Sequence, residues 1–156
     1  MTVDPVELKR SAAAEQGATD LIDPATGDPV DQIKELTEGR GTDYAFEVVG
    51  RSSTILQAYR AARRGGVVVV VGMPPVDDAV TVPAMELFLD AKETRVSNLG
   101  SAQIRRDIPR FVQLAETGRL DLASLVSRRI NLGEVNTAVS DMEAGRVVRS
   151  VITAWA

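Results

Sequence analysis

Residues 65–72, Gly65-Gly66-Val67-Val68-Val69-Val70-Val71-Gly72, decide the fold. Five consecutive β-branched side chains between glycines favour a strand over a helix. No polar residue alternates through the run, so it reads as a strand buried on both faces, the mark of a parallel sheet covered by helices. Just upstream, Thr42 to Val49 (TDYAFEVV) is a second strand closed by Gly50. Between the two, Ser52 or Ser53 is placed to cap a helix carrying Ile55, Leu56, Tyr59 and Ala62.

The same alternation continues in both directions. Toward the amino terminus, Asp28-Pro29 marks a helix start with Ile33 and Leu36 as its apolar stripe, and Asp20-Leu-Ile-Asp23-Pro24 reads as a short strand ending in a turn. Asp4-Pro5-Val6-Glu7 is another helix start, with Asp4 as cap, Pro5 at the first helical position and Glu7 as the capping-box carboxylate. That helix passes Lys9 and Ala14 and stops at Gly17. Toward the carboxyl terminus come a short helix around Met85 to Leu89 and a strand at Thr94 to Leu99. Beyond Gly100 the texture changes, with a helix at Ile104 to Thr117, an apolar segment at Leu120 to Val126, a helix at Asn131 to Ala144 and a closing strand at Val147 to Thr153. Repeated βαβ units with right-handed crossovers give an α/β fold with an open, doubly wound parallel sheet.

Composition narrows the function classes. Of the 156 residues 44% are apolar and 26% charged, the balance of a globular chain. A net charge of −4 argues against nucleic acid as a partner, because phosphate neutralisation needs a basic face. The Val67–Val71 run is too short for a bilayer span, and Met1-Thr-Val-Asp4-Pro5 has neither the basic nor the apolar part of a signal peptide, so no membrane association and a cytoplasmic location are expected. With no cysteine and no histidine, the chain supplies no thiolate and no imidazole as nucleophile, base or metal ligand.

Several segments recur in an order and spacing that resemble the zinc-type medium-chain alcohol dehydrogenases. They are Val3-Asp4, Gly17-Ala18-Thr19, Gly41-Thr-Asp43-Tyr-Ala-Phe-Glu47-Val-Val-Gly50, Arg64-Gly65-Gly66, Val71-Gly72-Met73-Pro74-Pro75 and Ala144-Gly145-Arg146-Val-Val-Arg149-Ser-Val-Ile152. The resemblance implies a Rossmann-like sheet in residues 1–99, a partial dinucleotide-binding domain, and a C-terminal segment of the catalytic domain in residues 100–156. It implies NAD as cofactor. Asp4 would accept from the adenosine ribose and Lys9 would lie beside it; read from the residues alone, Asp4 serves as well as a helix cap and Lys9 as a solvated lysine. Val49 and Gly50 would border the adenosine, and Val71, Gly72, Met73 and Leu99 the nicotinamide side. Arg149 interrupts an apolar run, where burying a guanidinium without an anion is costly, and the resemblance pairs it with the pyrophosphate. Arg105 and Arg106 are expected to be solvated, and Asp43 and Glu47 to be structural.

Two parts of that family's pattern are missing. The loop Gly-x-Gly-x-x-Gly normally precedes the ribose acid by about 20 residues, and the acid here is residue 4. The absent first strand is central in the order 3-2-1-4-5-6, so the strands near Asp23 should be separated from those near Phe46 and Val69. The family's zinc ligands come from upstream of this segment, and none is present. The expectation is therefore the C-terminal, cofactor-binding portion of an NAD-dependent alcohol dehydrogenase, truncated or half of a split enzyme and inactive by itself, with a separately encoded N-terminal half as a partner. Alternatives are an S-adenosylmethionine-dependent methyltransferase, whose sheet also carries an acid after its second strand, and a non-catalytic remnant that forms a homodimer through the Val96–Leu99 strand edge.

Overall fold

The computed structural model describes residues 1–154, and among these the chain alternates strands and helices from end to end. It divides into two compact units: Met1–Ala25 together with the described residues from Gln103 onward, and Thr26–Ala102. Every strand pairing is parallel, so each connection within a sheet is a crossover rather than a hairpin.

The second unit holds α2 (Pro29–Leu36), β3 (Thr42–Glu47), α3 (Ser52–Ala61), β4 (Ala62–Val70), α4 (Ala84–Asp90) and β5 (Glu93–Val96). Its sheet has the order β3-β4-β5. Asp28 caps α2 as its position before proline suggests, its carboxylate accepting from Val30 N at 2.7 Å. Val30 and Ile33 bury the inner side of that helix. The core of the unit is Tyr59, Ala62 and fully buried Val68, with Ala45, Ala58, Val70 and Val82 packed around it.

The valine run is covered on one face only, against the expectation of two. Val68 is 0% exposed, whereas Val67, Val69 and Val70 are half-buried and Val71 is exposed. Register explains the difference. Ala45 pairs with Val68 on the face under α3, while Tyr44 pairs with Val67 and Phe46 with Val69 on the other face, where the two aromatics remain 61% and 66% exposed. At the sheet's edge β5 is exposed throughout and ends at Val96. The expected Thr94–Leu99 strand is therefore shorter: Asn98–Ser101 turn away in a 3-10 segment, with Leu99 at φ 49°. Of the predicted Val96–Leu99 edge, Val96 alone is strand.

The first unit contains two smaller βαβ pieces. One is β1 (Thr2–Val3), α1 (Glu7–Glu15) and β2 (Leu21–Ile22); the other is β6 (Arg128–Asn131), α6 (Val135–Glu143) and β7 (Ser150–Ala154), with α5 (Ile104–Glu116) preceding it. The pair β1-β2 forms a sheet of its own, separate from β3-β4-β5, the separation expected from the sequence. β6 was not foreseen: Arg-Arg-Ile-Asn offers one apolar residue, Ile130, and that residue is the buried one.

Candidate functional site

In an open α/β sheet, ligands bind beyond the carboxyl ends of the strands. At the ends of β3 and β4 one buried side chain organises the backbone. Glu47, 3% exposed, accepts at 2.8 Å through Oε1 from Val49 N, from Gly50 N and from the Thr54 hydroxyl. Its own carbonyl accepts from Val71 N at 2.8 Å and from Gly72 N at 3.1 Å. A single residue thus clasps the β3 turn, the β4 turn and the first turn of α3. The other carboxylate oxygen, Oε2, is buried without a partner among the described residues.

The glycines in these turns answer to close backbone approach. A Cβ on Gly72 would sit 2.1 Å from Gly50 N, and one on Gly50, at φ 78°, would sit 2.6 Å from the Met73 carbonyl oxygen. Gly50, Gly72 and Met73 are therefore brought together. The chain beyond Met73 is pinned as well, because Asp78 Oδ2 accepts from Ser52 N at 2.8 Å. That contact corrects the expected cap of α3: the serine hydroxyls do not cap it, Arg51 is the cap residue, and Asp78 satisfies the free N–H at the helix start. The Ser52 hydrogen bonds hold the Asp78 carboxyl below its ordinary range. Val49, Val71 and Met73 beside the glycines, and Leu99 in the 3-10 segment after β5, stay exposed, at 62%, 40%, 91% and 76%. Apolar side chains this open at a strand edge can pack on a flat ring.

Asp4, Lys9 and Arg149 lie in the other unit. Asp4 follows β1 at its carboxyl end, and its Oδ1 accepts from Val6 N at 2.8 Å, the geometry of an Asx turn. Val6, not Asp4, is the cap residue of α1, and Pro5 stands outside the helix. Glu7 is not a capping-box acid; it pairs with Arg10. Arg10 is the residue the sequence reading missed. Its side chain is 8% exposed, and it donates to the Asp4 carbonyl at 2.6 Å, to Asp23 at 2.8 Å and to Glu7. A buried guanidinium satisfied by two carboxylates and a carbonyl ties the end of β1 to the end of β2. Lys9, half-buried, is on the same helix.

Arg149 corrects another expectation. It stands just before β7 rather than within an apolar strand, and it is exposed. The argument from burial cost therefore does not apply to it. Its backbone bonds to Ser127, Arg149 O accepting from Ser127 N at 2.9 Å and Arg149 N donating to Ser127 Oγ at 3.3 Å. No ion-pair partner for its guanidinium is present among the described residues. The side chain borders a groove of about 290 Å³ lined by Ile130, Val135, Met142, Val147 and Ile152.

An α/β unit of parallel strands with glycine turns at its carboxyl edge defines the class, and comparison with known proteins names the family. The sequence model of the zinc-binding dehydrogenases matches residues 1–117, and the chain belongs to that family. A Mycobacterium tuberculosis protein provisionally named alcohol dehydrogenase D is 34% identical over 155 residues, and the NDMA-dependent alcohol dehydrogenase of Amycolatopsis methanolica is 33% identical over 155. The crystal structure of benzyl alcohol dehydrogenase from Acinetobacter calcoaceticus superimposes with a TM-score of 0.90 at 30% identity, covering 98% of this chain and 42% of that one. The chain likewise spans 42% of the length of the two relatives.

Zinc does not fit the donor set here. The chain has no cysteine or histidine, and among the described residues no group of three or more acidic side chains could hold a metal ion. No helix among those residues is long and apolar enough to cross a membrane.

Proposed function

We propose that this chain is the cofactor-facing portion of an NAD-dependent, zinc-type alcohol dehydrogenase. The observation that carries the reading is the family match over residues 1–117, joined to the glycine turns that Glu47 clasps at the carboxyl edge. Residues 1–99 would supply the dinucleotide-binding part and residues 100–156 the closing segment of the catalytic domain. Val49, Gly50, Val71, Gly72, Met73 and Leu99 would face the cofactor rings, Asp4 and Lys9 the adenosine ribose, and Arg149 the pyrophosphate. A carboxylate at Asp4 favours NAD over NADP, because it repels a 2′-phosphate.

The chemical step needs groups this chain lacks. Bound nicotinamide would accept or deliver hydride; these residues bind and orient it. Zinc and its ligands would come from the remaining length of such an enzyme, in the same polypeptide or as a separate partner. The isolated chain therefore has no alcohol oxidation activity on this account. Homodimerisation through β5 is compatible with its exposed edge, Val96 being 77% exposed.

Calorimetric titration of the purified chain distinguishes this reading from the methyltransferase alternative, which the family match does not favour. NAD and ADP-ribose should bind saturably, weakly and more tightly than NADP, while S-adenosylmethionine should not. The reverse order would overturn the proposal.

A further inference from the structure

We propose that a cavity at the amino edge of the β3-β4-β5 sheet, the opposite edge from Val49, Gly50, Val71 and Gly72, binds a phosphate-bearing small molecule. The cavity measures about 600 Å³, within the usual range for small-molecule sites. It lies where all three strands begin: Gly39 and Arg40 precede β3, Ala62 to Arg64 open β4, and Lys92 precedes β5.

Its charge is out of balance with the chain as a whole. Six cations line it, Lys34, Arg40, Arg60, Arg63, Arg64 and Lys92, in a protein whose net charge is −4. Three carboxylates serve them. Asp43 takes both Arg40 at 2.6 Å and Arg63 at 2.5 Å, Glu86 takes Arg60 at 3.2 Å, and Asp90 takes Lys92 at 2.8 Å with Arg64 no nearer than 3.7 Å. Lys34 has no partner among the described residues. The surplus is three positive charges. α2, α3 and α4 all end beside the cavity, and each helix terminus carries about −0.5, which lowers the surplus to about 1.5. That is close to the charge of a phosphate group near neutral pH, about −1.5 to −2.

Geometry selects the ligand class further. Lys92 cannot swing out: its side chain is 4% exposed, its ammonium donates to the Tyr59 carbonyl at 2.8 Å, and it lies 4.5 Å from the Tyr59 ring centre. Arg64, whose contact to Asp90 is long, has its side chain 76% exposed, and Lys34 is exposed on the last turn of α2. A buried basic floor with two exposed cations at the rim suits an oxyanion that enters from solvent. Guanidinium forks pair with phosphate oxygens in two-point contacts. The Arg63 hydrogen bond and the nearby Arg40 hold the Asp43 carboxyl below its ordinary range, so its charge persists at neutral pH and the surplus already includes it.

Titration of the full chain with inorganic phosphate at low ionic strength tests the site. The wild type should bind saturably with one site. Lys34→Ala combined with Arg64→Ala should weaken binding by about tenfold, since two charges a few ångströms from the anion are lost. Arg105→Ala, an exposed arginine outside the cavity and outside the proposed cofactor residues, should leave it unchanged. Succinate, a dianion without phosphate geometry, should bind less well. Should the double variant lose its circular dichroism spectrum, Lys34→Glu alone carries the same expectation. Absence of saturable binding, equal loss in Arg105→Ala, no loss in the Lys34 and Arg64 variants, or succinate binding as tight as phosphate would each overturn the proposal.

Discussion

A Cβ added to Gly72 would lie 2.1 Å from a nitrogen that already donates to Glu47, so the β3 and β4 turns cannot both keep their places in Gly72→Ala. A forced backbone shift of this kind costs on the order of 2–4 kcal/mol. Glu47→Ala removes three hydrogen bonds to a buried carboxylate and should cost about 3 kcal/mol. Because both changes act on the same pair of turns, the double variant should cost less than the two added together. Urea denaturation of the four proteins measures this, and strict additivity would show that the turns are held independently. At this scale the sequence was informative where chemistry is local. Gly50 and Gly72 could be singled out from their position after apolar runs. Arg10 could not, because its partners Asp4, Glu7 and Asp23 converge only once α1 folds back along β1 and β2. The burial of Arg149 was not legible for a related reason: an apolar neighbourhood in sequence did not become burial in space.

Among the elements, α5 has a start built by a single carboxylate. Asp107 accepts from Gln103 N at 2.8 Å and from the Arg106 guanidinium at 2.7 Å. Arg106 first, then the Gln103 amide, lower its pKa from 3.8 to about 2. A depressed carboxylate adds stability that is present above the unfolded value and lost as pH falls through the folded one. The amino-terminal turn of α5 should therefore stay ordered down to about pH 4 and fray between pH 3.8 and about 2. Carboxyl-carbon NMR through that window reads the titration directly, and Asp107→Asn should abolish the pH dependence. A midpoint near 3.8 would mean that the Arg106 contact is not kept in solution. Helices of this kind were legible because α2, α5 and α6 repeat apolar residues at helical spacing. β6 was not, since a strand that buries only Ile130 has neither alternation nor an apolar run. The length of β5 was also overestimated, because Leu99 and Ser101 adopt positive φ in spite of their side chains.

At the scale of the whole molecule, surface area is the informative quantity. The chain exposes 10992 Å² at a mass of 16.7 kDa. A folded monomer of that mass exposes about 7,600 Å², and two independent globules of half the mass about 9,200 Å² together. Much of the excess is apolar: Tyr44 and Phe46 on the open sheet face, and Ile104, Ile108, Phe111 and Val112 along α5, are all 48% exposed or more. Surface of this extent is usually covered by more protein. The purified chain should bind the dye ANS strongly and run above monomer mass in size-exclusion chromatography with light scattering. A dye-silent monomer would show that these faces are covered in solution without a partner. The separation of β1-β2 from β3-β4-β5 was foreseeable, because the strand order of the resembling fold sets another strand between them. The bare aromatic face was not, because the pattern of Thr42–Glu47 reports that a strand forms and leaves open what covers it.

Amide chemical-shift mapping with NAD tests the assignment most directly. Saturable shifts should fall on Asp4, Lys9, Val49, Gly50, Val71 to Met73, Leu99 and Arg149, with a dissociation constant on the order of 1 mM, because the pyrophosphate loop of related folds is absent. Shifts confined to other residues, or none at concentrations well above that, would contradict a dinucleotide-facing role for these turns.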